Sequence, residues 1–418
     1  MAQINKVIII GAGPAGLAAA LRLQDINNIS VTVYELREQP THLGGAINIP
    51  ANGVRLLDRL GVYEPLLEGG SIIPQMVVHS INGNELGRLD HIARIKAKTG
   101  YGFMRIKRTV VIDALLSKAQ TCGIPVHFNK RLVAIDEDSG TSATMTFSDG
   151  SCDTADLVLG CDGIHSAVRK LHVDPEITPE YSGISSMSSI VPVPTDLEGM
   201  HATFTSQGSV TVVPCTDNLE EKELFWFLTR HIPEPDAADK RDGWNEHREK
   251  EVAGFKNTLQ DITREIGGSW GSFLHDVVSK TETVNFYPVY RLPRRGVWHT
   301  SRCVLIGDAA HAMQPHVGQG VSMALEDVFL LSRLLKKEST PLEDCLRQFE
   351  TIRRPRIEEF AAQAANNGNR SRQKGPWQMT RMEWGIWAWL LARRVFSLWS
   401  WGIREEDWLY DIDEVDID

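Results

Sequence analysis

Val7-Ile8-Ile9-Ile10-Gly11-Ala12-Gly13-Pro14-Ala15-Gly16, running on into Leu17-Ala18-Ala19-Ala20-Leu21-Arg22-Leu23, is the stretch that decides the fold. The apolar run from Val7 to Ile10 predicts a strand buried on both faces, as in a parallel sheet. The run from Leu17 is built of strong helix formers. Val31-Thr32-Val33-Tyr34 predicts the next strand and closes a βαβ unit. The glycines between have separate jobs. Gly11 allows the tight turn, Gly13 lets the backbone approach a pyrophosphate, and Gly16 lets helix and strand pack closely. Pro14 and Ala15 complete the loop. Phosphates bound there meet the free N–H groups and positive end of the helix. Glu35, 19 residues after Gly16, is placed to accept hydrogen bonds from ribose hydroxyls, and Arg37 is assigned to the same site.

The chain has 418 residues, which at roughly 150 per domain suggests two or three domains. Apolar residues make up 42% and charged residues 23%, which excludes a mostly disordered, collagen-like or coiled-coil chain. The net charge is -10, but eight acids and no Lys or Arg follow Arg404. The remainder is nearly neutral, so no basic face for nucleic acid is expected. The acidic tail reads as a solvated end. Six scattered cysteines without a C-x-x-C pattern suggest reduced thiols and a cytoplasmic location. There is no signal-peptide layout at the N-terminus and no run that predicts a spanning helix.

Two further segments repeat the pattern of strand, glycine and acid. One is Asp156-Leu157-Val158-Leu159-Gly160-Cys161-Asp162-Gly163 and the other Cys303-Val304-Leu305-Ile306-Gly307-Asp308. Each puts an Asp at the carboxyl end of an apolar strand, where ligands of open α/β sheets bind. Pro315-His316-Val317-Gly318-Gln319-Gly320 follows, then a helix from about Val321 with Ala324, Leu325, Val328 and Leu331 on one stripe. Between about 181 and 290, short strand-like runs alternate with turns around a polar helix near 243–266, suggesting an inserted, more antiparallel domain. Gly267-Gly268-Ser269-Trp270-Gly271 reads as a turn.

Together, GAGPAG with Glu35, Asp162-Gly163 and Gly307-Asp308 resemble the class A (single-component) FAD-dependent monooxygenases. This is the family of salicylate hydroxylase and p-hydroxybenzoate hydroxylase, and the chain is closest in style to fungal members of secondary metabolism. The resemblance implies an α/β fold: a Rossmann-like FAD-binding domain of the GR2 type, an inserted, mostly antiparallel substrate sheet, and a C-terminal helical segment. Its boundaries divide the chain into FAD-binding parts at 1–75, 101–178 and 291–370, substrate-domain parts at 76–100 and 179–290, and a Trp-rich end at 371–418.

The same resemblance assigns residues. Gly11, Gly13 and Gly16 hold the FAD pyrophosphate and Glu35 the adenosine ribose. The segment from Gly44 through Gly45 and Ala46 to Pro50 lies against the isoalloxazine, with Ala46 where a Gly is common. Arg108 faces the cofactor. Asp162 and Gly163 serve FAD and a passing NADPH or NADH. Gly307 and Asp308 bind the ribityl chain or a nearby phosphate. Pro315, Gly318, Gly320 and Val321 run past the flavin ring. Gly318 and Gly320 allow close backbone approach, and the helix start behind them stabilises charge on reduced flavin.

The chemistry implied is reduction of FAD by NAD(P)H, formation of a flavin C4a-hydroperoxide with O2, and oxygen transfer to an aromatic or hydrophobic small molecule. An epoxidase or a flavin-dependent dehydrogenase on the same fold, and a non-catalytic flavin-binding sensor, are the alternatives. His316 is the candidate general base; otherwise it caps its loop by hydrogen bonds. Tyr287, Tyr290, Arg230 and Arg291 are further candidates. No metal is expected, because no Cys or acid completes a set with His311 and His316. Arg169 reads as a phosphate contact or a surface charge. Phe225, Phe227, Val210, Val212 and Met187 are candidate pocket walls. The Trp-rich end predicts a helix packed on the FAD-binding domain, with peripheral membrane contact as the alternative. A monomer or homodimer is expected.

Overall fold

The computed structural model describes residues 4–40, 45–138, 141–193, 196–216, 222–235, 240–337, 340–369, 374–396 and 401–417. A five-stranded parallel sheet carries the strands Cys303–Leu305, Leu157–Gly160, Lys6–Ile10, Ser30–Tyr34 and Val126–His127 in that order. Val7, Ile8 and Ile9 are fully buried in its centre. The register aligns Ile10 with Gly160 and Tyr34, and Gly160 with Leu305. The next residues along each chain, Gly11, Glu35, Cys161 and Ile306, therefore emerge side by side at one edge. The helix Pro14–Asn27 packs between Arg108–Thr121 and Gly320–Leu335. A small antiparallel sheet, Leu132–Asp138, Ser142–Phe147 and Cys152–Ala155, feeds Ala143, Met145 and Phe147 into the same core.

The inserted region forms a seven-stranded sheet in the order Asn285–Arg291, Glu180–Pro192, Glu223–His231, Ser209–Pro214, Met200–Phe204, Met76–His79 and Glu85–Leu89. All its pairings are antiparallel except Met76–His79 with Met200–Phe204. The pleat splits the expected pocket walls. Val210 and Met187 lie opposite Leu228, and Val212 opposite Trp226. These residues face Leu259, Ile262 and Leu274 of the helices Lys240–Arg264 and Gly268–Lys280. Val210, Val212 and Met187 are therefore core, not pocket. Phe225 and Phe227 point the other way, toward Ile73, Phe103 and Val213.

Three other expectations are corrected. Gly267–Gly271 opens the helix Gly268–Lys280 instead of forming a turn. Trp270 holds it there, stacked on His79 at 4.3 Å and donating to Thr203 Oγ1 at 2.8 Å, so tertiary packing overrides poor helix propensity. The Trp-rich helix, Pro376–Val395, packs on the strand Glu85–Leu89 of the seven-stranded sheet, with Leu390 against Gly87 and Glu383 accepting from Ile81 N at 2.6 Å. Its Trp377 and Trp384 are 84% and 64% exposed. Among the described residues, no helix is long and apolar enough to cross a membrane.

The acidic tail is docked rather than solvated. Asp411 accepts both Arg59 terminal nitrogens, at 2.7 and 2.6 Å, and pairs with Arg55 at 2.8 Å. Arg333 donates to Ile412 O at 2.6 Å, and Lys98 pairs with Glu405 at 2.9 Å. Burial alone would raise the Asp411 carboxyl, but the hydrogen bonds from Arg59 and Arg55 outweigh it and hold the group at about 2. A carboxyl depressed in the fold contributes stability above its unfolded value of about 3.9 and loses it as the pH falls toward 2. Asp411→Ala should cost about 2 kcal/mol at neutral pH. In denaturant titrations the variant and parent curves should converge as the pH drops from about 4 to about 2.

Candidate active site

The glycine loop shows three different constraints. A Cβ on Gly16 would sit 1.9 Å from Gly11 O, so that position admits no side chain. Gly11 itself, at φ +108, crowds the Cys161 backbone. Nothing lies within 4 Å of where a Cβ on Gly13 would stand. Gly13 precedes the first turn of Pro14–Asn27, whose N-terminus has no side-chain cap. Backbone N–H groups at such a helix start need an acceptor, and a phosphate supplies one. Pro14 opens the helix, with Ala15 behind it. Glu35 orders the loop, accepting from Ala12 N at 2.8 Å and Arg37 N at 3.0 Å. A groove bordered by Gly13, Glu35, Arg37, Arg108 and Phe128 runs from this loop. Arg108 reaches it from the first turn of Arg108–Thr121.

Two carboxyls stand along the same edge. Asp162 Oδ2 accepts from Ala167 N at 2.6 Å, while Oδ1 is buried without a partner. Burial raises the Asp162 carboxyl against these bonds. Gly163 follows at φ +77 with open space beside it. Asp308 is accessible from the edge, yet enclosed by enough protein to raise its carboxyl, opposed by the charges of His311 and Arg108. Gly307, at φ +62, turns the chain between strand and Asp308. Arg169 is neither a surface charge nor a free phosphate contact. It is 3% exposed and its guanidinium donates to the carbonyls of Ile177, Ala309 and Ile164, tying the two acidic turns together.

The third part is the loop from Pro315. Pro315–Val317 forms one tight turn, Gly318 at φ +63 lies against Asn48, and the helix begins at Gly320, one residue before Val321. The space beside Gly320 is open. Asn48 belongs to the strand Ala46–Ile49, which opens a three-stranded sheet with Phe103–Lys107 and Gly70–Ile73. A Cβ on Gly45 would meet the Phe225 ring at 3.0 Å, and Ala46 packs in the same cluster. Gly44 lies outside the described residues. His316 does not cap its loop through its ring: both ring nitrogens are buried without partners, and the ring rests on Gly368. Burial lowers it to about 4, so the imidazole is neutral near neutral pH and a weaker base than a free histidine.

The other candidates are engaged elsewhere. Arg230 pairs with Glu251 and Arg291 with Glu180, Tyr290 packs on Tyr181, and Tyr287 is 44% exposed. His311 and His316 form no pair, since His311 Nε2 meets Asp327 Oδ2 at 2.6 Å. Among the described residues, the close trio of ligand types is Glu137, His172 and Cys303. Its carboxylate already takes the hydroxyls of Thr300 and Ser301, at the amino end of the Cys303 strand.

Beneath the edge lies a buried ionic cluster that the sequence reading missed. Asp327 accepts from Gly307 N at 2.9 Å, His311 at 2.6 Å and Arg353 Nε at 2.7 Å. Glu326 accepts from Arg353 Nη1 at 2.6 Å, Arg356 Nε at 2.9 Å and Asn52 Nδ2 at 2.8 Å. Asn52 also donates to Gln319 Oε1 at 3.1 Å. The signal was two adjacent acids inside an otherwise apolar helix, followed by the basic run Arg353-Arg354-Pro355-Arg356.

The FAD binding domain family matches residues 5–364. This chain belongs to that family. It is 27% identical to 6-hydroxynicotinate 3-monooxygenase of Bordetella bronchiseptica over 90% of this chain and 92% of that protein. It is 26% identical to hispidin-3-hydroxylase of Neonothopanus nambi, covering 86% and 87% of the two chains. The crystal structure of Klebsiella pneumoniae HpxO with FAD and uric acid shares the fold, with a TM-score of 0.80 at 21% identity and 97% coverage of both chains. The protein is an FAD-dependent monooxygenase. The residues present fit that cofactor: an open Gly13 at a helix start suits a pyrophosphate, and the orphaned Asp162 Oδ1 and accessible Asp308 suit its hydroxyls.

Gly13→Ala should leave the apoprotein's melting temperature unchanged and weaken FAD binding at least tenfold, measured by flavin fluorescence. Gly16→Ala should lose folded protein outright. Arg353→Met removes the cation shared by two buried acids, leaving Glu326 with Arg356 and Asp327 with His311, and should cost about 3 kcal/mol; denaturant titration with and without added FAD measures it.

Proposed function

We propose that the protein oxidises NADPH or NADH and uses O2 to hydroxylate an aromatic or related hydrophobic small molecule. One observation carries this reading. Phe225 and Phe227, with Ile190 beside them, face the Gly45–Ala46 strand, which itself touches the Gly318 loop. This aromatic layer borders the place proposed for the flavin, and a substrate ring reaching the flavin from that side would meet it. When bound, FAD supplies the redox chemistry: it takes electrons from the nicotinamide and activates oxygen.

The chain's own residues bind, orient and exclude water. The Gly13 helix start holds the pyrophosphate, Glu35 the ribose, and Asp162 and Asp308 the hydroxyls of the cofactor. The phenylalanine rings orient the substrate and keep the cleft dry. His316, with both ring nitrogens open, is the candidate general base for a phenolic substrate, and it gains the basicity that burial removes only when the forming phenolate stands beside it as a charge partner. Segments 1–75, 101–178 and 291–370 serve the cofactor, and 76–100 and 179–290 the substrate. The relatives are named for hydroxylating 6-hydroxynicotinate and hispidin, and the aromatic layer of Phe225 and Phe227 beside the proposed flavin site suits small rings of that kind.

The test is NADPH oxidation by the flavin-loaded protein in air against a panel of phenols and heteroaromatic acids. The accelerating compound should yield product carrying one oxygen atom from ¹⁸O-labelled O2. Product without label would assign the dehydrogenase reading instead.

A further inference from the structure

Arg105 is a cation in the wrong place for a structural residue. It stands on Phe103–Lys107, the central strand of the three-stranded sheet, opposite Asn48 on one side and Ser71 on the other. Its alternation partner Phe103 packs in the layer between that sheet and the seven-stranded one, with Phe225, Val213 and Cys215. Arg105 is 3% exposed. Its guanidinium lies 4.0 Å over the Phe225 ring and gives Nη1 to Asn48 Oδ1 at 2.7 Å. Nε and Nη2 are buried with no hydrogen-bond partner. The ionisable group that acts on it is the Cys215 thiol, which burial pushes up to about 12 and so keeps neutral. Burial pulls Arg105 itself down to about 9, which leaves it charged at neutral pH.

A buried charge without a counter-ion is costly, and proteins rarely leave one. The contrast within this chain is direct: Arg353, equally buried, is met by two carboxylates. The two donors that Arg105 leaves open are the side-by-side pair on one edge of the guanidinium. That edge matches the two oxygens of a carboxylate. The third nitrogen is pinned by Asn48, and the face is taken by Phe225. Asn48 in turn touches Gly318 of the loop assigned to the flavin.

We propose that Arg105 is the specificity residue of the cleft and receives the carboxylate of an aromatic acid substrate through its Nε–Nη2 edge. This rests on the hydroxylase reading above and deepens it. Asn48 sets the fork's orientation, Phe225 stacks behind it, and the acid is held one residue away from the flavin loop. A neutral analogue of the same shape leaves the two donors unmet.

The experiment uses the flavin-loaded protein and two matched probes, 4-hydroxybenzoate and 4-hydroxybenzamide, each titrated while the visible flavin band is followed. The acid should bind about 10- to 100-fold tighter than the amide. Arg105→Gln should level the two while leaving the FAD dissociation constant unchanged, and Arg105→Lys should keep part of the preference. Equal affinities in the parent protein overturn the proposal, as does a spectrum that answers to neither probe or a preference that survives in Arg105→Gln. Should Arg105→Gln fail to fold, the parent's acid-to-amide ratio and the Lys variant decide. The hydroxylase reading fails separately, through unlabelled product, and an acid preference measured in the same protein would still stand.

Discussion

Asp327 is the constraint on which the site depends. One carboxylate, fully buried, accepts from the backbone of Gly307, the ring of His311 and the guanidinium of Arg353. Burial would raise this acid, but the charges of His311 and Arg353 prevail and hold it ionised. Its position sets three things together: the turn that presents Asp308, the helix that begins at Gly320, and the long helix that carries Arg353. A left-handed glycine with its N–H engaged by a buried acid has little freedom. The accessible Asp308 is thus presented by a rigid turn, as a group that must meet a ligand with fixed geometry should be. Through Glu326, Asn52 and Gln319 the same network reaches the loop before Gly320. The Gly307 turn and the loop before Gly320, the two sides proposed for the cofactor, are therefore parts of one hydrogen-bonded body.

What the sequence made legible was local. The strand, glycine loop and helix from Val7 to Leu23 are read from nearest neighbours, and so are the Asp turns at the ends of two further apolar strands. The parallel register then brings Gly11, Glu35, Cys161 and Ile306 to one edge, because each strand ends where its turn residue begins. The ionic cluster was legible only as charges in an apolar helix and a later basic run, not as a pairing, since Glu326 and Arg353 meet only after two helices pack. The same holds for Arg169, whose partners lie as far away as Ala309. The acidic tail misled for a physical reason: a run of acids is solvated only when no basic face awaits it, and Arg55, Arg59 and Arg333 come from distant helices.

The substrate sheet shows a second limit. Alternation along Glu223–His231 was visible, but which phase faces the cleft depends on what covers each side. Trp226 and Leu228 go beneath the helices because Leu259, Ile262 and Trp270 offer a wide apolar face there. Phe225 and Phe227 are left to the narrower layer above Gly45. Had the pleat shifted by one residue, the cleft would be lined by Trp226 and Leu228 and the helices would meet the phenylalanines. Trp226 gives its indole N–H to Thr281 at 2.9 Å, a bond available only on the helix side, and this helps lock the phase.

The distribution of unmet polar groups completes the argument. Natural cores satisfy nearly all buried donors and acceptors, and this chain does so at Arg353, Asp327, Glu326 and Arg169. Among the buried polar atoms that remain open are Asp162 Oδ1, the Arg105 Nε–Nη2 edge and both His316 nitrogens, beside others such as Trp244 Nε1 and His91 Nδ1 that lie outside the proposed site. The first three are an acceptor at the edge proposed for the cofactor, a cationic fork in the layer proposed for the substrate, and a neutral base in the loop between. Each kind of group matches one demand of the proposed chemistry: a cofactor hydroxyl, a substrate acid and a phenolic proton. Where such open groups gather beside the proposed cofactor site, a ligand can supply the missing partner. It is the chemistry of these three groups, rather than their being unmet, that sets them apart: an acceptor, a cationic fork and an imidazole gathered around one proposed cofactor site.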